Sequence, residues 1–209
     1  MKGLLLKDWY MMKKYMRSYL VLLVVFVVIS LGNSDNMFFV FYPSLLSAMI
    51  PVSLMAYDER SKWDAYSGTL PCTKAQIVSV KYVLGVLLQA LIILLTAIVQ
   101  GIQMVRTGSF DWSSYLALVQ MLTVMGCVAL SVTLPFMYKY GVEKGRMAYY
   151  LMVVFVSGGS AIAATLFRDW LQMEAAADLP LALLTLAAMG VYALSWRLSI
   201  RFYEKRELK

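Results

Sequence analysis

The stretch YVLGVLLQALIILLTAIVQGIQMV, Tyr82–Val105, contains no Asp, Glu, Lys or Arg. A helix rises about 1.5 Å per residue and a bilayer's hydrocarbon core is about 30 Å thick, so roughly 20 such residues cross it. The buried helix of a soluble domain needs an apolar run of only about 10–14. Working outward, Asn36–Tyr57 and Ser18–Ser34 come before it, and Trp112–Tyr138, Met147–Phe167 and Leu179–Trp196 after it, all uncharged. The first and last runs are slightly short, and snorkelling of Arg17 and Arg197 extends them. Composition agrees, with 61% apolar and 15% charged residues, against about 45–50% and about 25% in soluble domains. The sequence predicts one all-α integral membrane domain with spans at 18–34, 36–57, 74–105, 112–138, 147–167 and 179–200.

The basic residues orient it. The segments on the N-terminal side of the membrane, 2–17, 58–81, 139–146 and 197–209, hold 17 Lys/Arg, and the opposite side holds two, Arg106 and Arg168. The acids divide seven to five, as expected of a rule that counts Lys and Arg rather than net charge. Both termini are therefore expected in the cytoplasm. The net charge of +7 is juxtamembrane charge facing anionic lipid and calls for no nucleic acid. Ile29-Ser30-Leu31-Gly32 is not a small-x-small cleavage site, so the first run reads as a retained span rather than a signal peptide. Cys72 and Cys127 fall in different zones, which argues against a structural disulfide.

Immediately before the opening stretch lies Asp58–Gln76, the most patterned part of the chain. Glu59–Ser67 predicts a short helix with Trp63 and Tyr66 at i,i+3 against charged neighbours, ended by Gly68. Leu70-Pro71 forces an extended turn, and Thr73 with Gln76 forms a capping box that starts the third span near Lys74. The segment reads as helix, rigid elbow and new membrane helix. At the N-terminus, residues 3–17 predict an interfacial helix, with Leu5, Trp9, Met12 and Met16 on one face and Lys2, Lys7, Lys13, Lys14 and Arg17 on the other. Gly32–Asn36 reads as a tight external turn, and Pro43 and Pro51 as kink points in span two. Asp111 is positioned to cap span four, and 139–146 reads as an inner loop with Gly141 and Gly145. Ser157–Ser160 reads as a small-residue patch, 168–178 as a short external segment capped onto span six by Asp178 and Pro180, and 201–209 as a charged tail.

Three absences narrow the function. The chain has no His, which removes histidine-based catalysis and the common zinc-protease motifs. The uncharged spans lack the mid-membrane ionisable groups that ion-coupled carriers often use. No glycine-rich phosphate loop followed by Lys-Ser/Thr occurs, so ATP is not bound here in that way. A six-span protein with a patterned elbow and no catalytic cluster is expected to be moved by a partner.

The sequence resembles a known family through several ordered matches. These are Met1-Lys2-Gly3-Leu4-Leu5-Leu6-Lys7-Asp8, Tyr57-Asp58-Glu59-Arg60-Ser61-Lys62-Trp63-Asp64 with Leu70-Pro71, and Ile77-Val78 with Lys81-Tyr82. Leu134-Pro135, Tyr140–Arg146 and Tyr203-Glu204-Lys205-Arg206-Glu207 complete them. Together they resemble the permease subunits of type-2 ABC exporters, in the small bacterial branch that includes permeases of phenol-soluble modulin exporters and of bacteriocin self-immunity systems. The resemblance implies that residues 3–17 are an elbow helix and 58–71 a coupling helix that docks on an ATPase subunit. On that basis Glu59, Arg60, Lys62, Trp63 and Tyr66 are the expected ATPase contacts, with Glu143, Lys144 and Arg146 as a second patch. It also implies a path formed by spans two and five, with Phe38, Tyr42, Met49, Met152 and Phe155 as lining candidates. The expected assembly is two permeases, a second copy or a close paralogue, with a dimer of cytoplasmic ATPases, in a bacterial cytoplasmic membrane. ATP and Mg belong to the partner, and this chain is expected to hold no catalytic residue, cofactor or metal. It lacks the sizeable external domain of larger relatives.

The apolar, aromatic and Met-rich path favours an amphipathic or hydrophobic cargo, with a peptide first and a lipid or small amphiphilic drug as the competitor. A passive channel or a membrane scaffold would fit the spans but would not require the elbow.

Overall fold

The computed structural model describes residues 2–32, 37–69, 71–147, 149–154 and 178–205. Residues 33–36 of the expected external turn, Leu70, the Ser157–Ser160 patch, Phe155, residues 168–177 of the external segment and the last four residues lie outside these. Every regular element among the described residues is an α-helix. In chain order they are α1 (Lys2–Tyr15), α2 (Arg17–Gly32), α3 (Met37–Arg60), α4 (Trp63–Ser67), α5 (Lys74–Arg106) and α6 (Trp112–Tyr140). Helical residues 142–147 and 149–154 follow, and then α7 (Asp178–Lys205). The stretches Phe39–Arg60, Lys74–Arg106, Trp112–Tyr140 and Leu181–Lys205 are long and apolar enough to cross a membrane, and Arg17–Ser30 is a shorter apolar helix.

The boundaries follow from local chemistry. Before α5, the Thr73 hydroxyl accepts from Gln76 N–H (3.2 Å) and the Gln76 side chain accepts from Thr73 N–H (3.3 Å), a closed capping box. Asp111 caps α6 by accepting from Ser114 N–H at 2.9 Å. The Ser113 hydroxyl, then the Ser114 backbone and hydroxyl, hold the Asp111 carboxyl below the usual carboxylate range. Gly141, at φ +87°, ends α6 in a conformation that favours glycine. The expected inner loop 139–146 is therefore a helix end, one glycine turn and the start of a new helix.

Two core clusters assemble the bundle. One joins Leu45 and Ala48 of α3, Val78 and Tyr82 of α5, Leu130 and Leu134 of α6, Tyr149 and Met152, and Tyr192 and Tyr203 of α7. The other packs Met12 and Met16 against Leu23, Ile50, Leu54, Leu84, Leu88 and Ile92. α3, with Pro43 and Pro51 inside it, touches α1, α2, α4, α5 and α6, and α5 touches α1, α2, α3, α6 and α7, so these two helices together form the centre of the described bundle.

Buried polar groups fix the helix pairs. The Tyr82 hydroxyl lies 2.8 Å from Ser195 Oγ and 2.6 Å from Ser199 Oγ, while the Tyr192 hydroxyl donates to the Tyr82 carbonyl at 2.8 Å. Gln89 is bonded to Ser44 and Ser47 of α3. It reaches them across Gly126, where an added Cβ would lie 2.0 Å from Gln89 Nε2. Interhelical hydrogen bonds of this kind average only about 0.6 kcal/mol each in a membrane, so their main effect is on register.

Candidate functional site

At the end of the bundle that carries α1, four charged side chains meet. Lys7 Nζ donates to Asp58 Oδ1 at 2.7 Å and stands 3.2 Å from Asp8 Oδ1. Lys81 Nζ lies 2.9 Å from Asp8 Oδ2 and 2.6 Å from Asp58 Oδ2. Asp8, Lys81 and Asp58 are 1%, 5% and 6% exposed. Two ammonium groups face two carboxylates, so the set is neutral. Its desolvation is offset only while all four members are present. The cluster fastens α1, the end of α3 and the start of α5 to one point.

The elbow lies directly beside it. Lys7 Nζ sits 4.0 Å from the centroid of the Trp63 ring, a cation–π contact. Helix α3 continues through Glu59 and Arg60. Lys62 then breaks the helix in the left-handed region (φ 53°), and α4 restarts at Trp63. The single short helix expected over Glu59–Ser67 is thus divided at Ser61 and Lys62, and Gly68 closes α4 with right-handed rather than left-handed geometry. The break turns Trp63 inward and leaves Tyr66 58% exposed, their rings 5.4 Å apart. A cavity of about 40 Å³ lies beneath, lined in part by Asp58, Glu59, Trp63, Lys81, Tyr138 and Tyr203. The buried Tyr138 hydroxyl has no hydrogen-bond partner among the described residues.

The residues expected at a partner interface separate into two groups. Glu59 Oε2 accepts from Val142 N–H at 3.3 Å, tying the elbow to the turn after α6. Lys62, Tyr66, Glu143 and Lys144 are exposed. Arg60, which is also exposed, and half-buried Arg146 line a separate cleft with Tyr15 and Tyr57, whose rings stack at 4.7 Å. Of the expected path residues, Met152 is buried in the main core and Met49 packs against it. Tyr42 sits against Phe26 of α2, with ring centroids 4.8 Å apart. The side chain of Phe38 and the whole of Phe155 lie outside the described residues.

Asp8, Asp58 and Lys81 carry no individual role in the sequence, and Lys7 is expected on the charged face of the interfacial helix; the structure instead draws Lys7 into the cluster and over Trp63. One local signal points to Asp8. The buried stripe of α1 is Leu4, Asp8, Met12 and Met16, so Asp8 occupies an i,i+4 apolar row. Leu5 is only half-buried and Trp9 is 52% exposed, so the packed face is rotated from the one that apolar periodicity selects.

Four of the described helices are long and apolar enough to cross a membrane, and an elbow is pinned at one end of the bundle. The chain belongs to the ABC-2 transporter family: the family profile described as "ABC-2 family transporter protein" matches residues 3–204. It is thus a permease subunit of an ABC transporter, a class that works with an ABC ATPase partner. No curated protein and no solved structure gives a significant match.

Proposed function

We propose that this chain is the permease of an ATP-driven exporter in which the partner's motion enters at α4. It then passes through the Lys7–Asp8–Asp58–Lys81 cluster to α1 and α5. The buried cluster carries this reading. A neutral four-charge joint beside an exposed aromatic helix connects three elements that would otherwise move separately. Glu59 extends the joint toward residue 142. Lys62 and Tyr66, with Trp63 behind them and Glu143 and Lys144 nearby in sequence to that turn, form the partner-facing surface. Aromatic anchors amid charge suit such a contact.

The excess of Lys and Arg at this end supports a cytoplasmic location for it and for both termini, in a bacterial plasma membrane crossed by six spans. In this arrangement α1 is the interfacial elbow helix, the partner ATPases hold ATP and Mg, and a second permease copy or close paralogue completes the route. An apolar, Met- and aromatic-rich path favours an amphipathic peptide as cargo.

One experiment on the co-expressed permease–ATPase complex, reconstituted in vesicles, tests the reading. With Tyr66→Ala and Lys62→Gln together, ATPase capture should fall at least about tenfold, the cost of losing one strong interface anchor. Hydrolysis in the wild type should be stimulated by an amphipathic helical peptide. Undiminished capture would remove α4 as the contact, and stimulation by lipids or cationic amphiphiles alone would remove the peptide.

A further inference from the structure

Among the described residues, the cleft that takes Arg60 and Arg146 is lined by two guanidinium groups and no carboxylate. Like charges in a shared cleft repel, and here the local acids do not neutralise them. Asp8 and Asp58 are held by Lys7 and Lys81, and Glu59 accepts from Val142 N–H. Glu143, three residues before Arg146, is exposed and forms no ion pair with it. Arg146 Nε is buried without a hydrogen-bond partner among the described residues. A buried guanidinium N–H left unbonded is costly, and the chemistry that satisfies it beside the second, exposed guanidinium of Arg60 is an oxyanion taking several N–H donors at once.

We infer that this cleft binds the phosphate of an anionic phospholipid from the leaflet at the basic end of the bundle. Its position selects a lipid over a side chain of a soluble partner. The cleft, of about 130 Å³, includes Ser53 as well as Arg60. These residues are seven apart on α3, so it runs about 10 Å along the helix into the membrane-crossing part. Tyr19 of α2 lines it too, and the exposed surface of α2 beyond Tyr19 is Val21, Leu22, Val24, Val25, Val28 and Ile29. A cationic, tyrosine-rimmed cleft that continues into an apolar helix face matches a headgroup followed by its acyl chains.

The reading rests on the chain crossing a membrane and not on the ATPase contact, so it is tested on the full-length permease alone. Native mass spectrometry from detergent would compare retained phosphatidylglycerol with phosphatidylcholine of the same chain length. The wild type should favour phosphatidylglycerol by up to roughly thirtyfold, as two cations near a headgroup imply. The double variant Arg60→Gln/Arg146→Gln should bring the ratio near unity, while Lys62→Gln should leave it unchanged. Equal retention by the wild type, or a preference that survives the double variant, overturns the inference. Should the double variant fail to fold, a phosphatidylglycerol carrying a headgroup photoprobe decides on the wild type. Adducts at Tyr57, Arg60 or Arg146 support the site, and adducts only elsewhere refute it.

Discussion

At the scale of single residues, the buried charges set the strongest constraint. Removing one member of a buried ion set strands its partners and costs roughly 3–5 kcal/mol, whereas replacing a matched pair by apolar groups is often close to neutral. Asp8→Leu or Lys81→Met alone should therefore sharply lower the apparent melting temperature of the detergent-purified permease. The double variant Asp8→Leu/Lys81→Met should recover much of that loss, and the comparison as a double-mutant cycle reads their coupling. Additive losses would show that the two residues do not act as one unit. The reason these residues lacked a role in the sequence is physical. Asp8 and Lys81 are 73 positions apart, and no periodicity links a charge in an interfacial helix to the charge that flanks the third span. Counting charges to find span ends places Asp58 and Lys81 outside the apolar runs. Burial of those ends depends on α1 folding over them.

At the scale of elements, what was legible depended on whether its cause was local. Thr73 with Gln76, and Asp111, are caps whose partners lie within three residues, and the hydrogen bonds expected of them are present. The division of the elbow at Lys62 was not legible, because a left-handed lysine carries no sequence signature comparable to glycine. The turn after α6 shows the same contrast. Gly141 suggested a loop, yet the chain returns to helix at once because Gly145 lets it close onto α6. A Cβ at Gly145 would lie 2.3 Å from Met137 Cγ and 3.0 Å from Met137 Cα, a backbone atom. Gly145→Ala should therefore destabilise by about 1–3 kcal/mol, the usual cost of overpacking. Gly190 lies within α7 and has nothing within 4 Å of the equivalent position. Gly190→Ala should be neutral or stabilising by up to about 1 kcal/mol, through helix propensity. Thermal unfolding of the two variants side by side checks the contrast, and equal effects would show that Gly145 is not a packing residue.

At the scale of the whole molecule, the long apolar helices made the class evident. Lys74–Arg106 is a single helix of 33 residues, about 50 Å from end to end. Gly68, before this helix, and Ser109, after it, therefore stand at opposite ends of the bundle, and both are exposed. In intact cells, a membrane-impermeant thiol reagent should label a cysteine placed at Ser109 but reach one at Gly68 only after permeabilisation, in a background with Cys72 and Cys127 replaced by Ser. The reverse pattern would invert the orientation, and labelling of both would break the spanning assignment of α5. The candidate site was partly legible at this scale. Charge counting marked the correct end as crowded with Lys and Arg, and the ordered matches contained all four members of the buried cluster. Which of those residues touch a partner, a lipid or one another depends on the three-dimensional turn at Ser61 and Lys62.

The separation of Asp8 from Lys81 also has a meaning in time. A ribosome adding roughly 5–20 residues per second takes about 4–15 seconds to traverse the 73 positions between them. Throughout that interval the carboxylate of Asp8 has been made and its buried partner has not. The nascent N-terminal helix must wait where water still reaches it, and only when the third membrane helix emerges can it be drawn down and locked. The same ion pair that joins the finished elements thus orders their biogenesis, with the first helix made settling only after the third membrane helix.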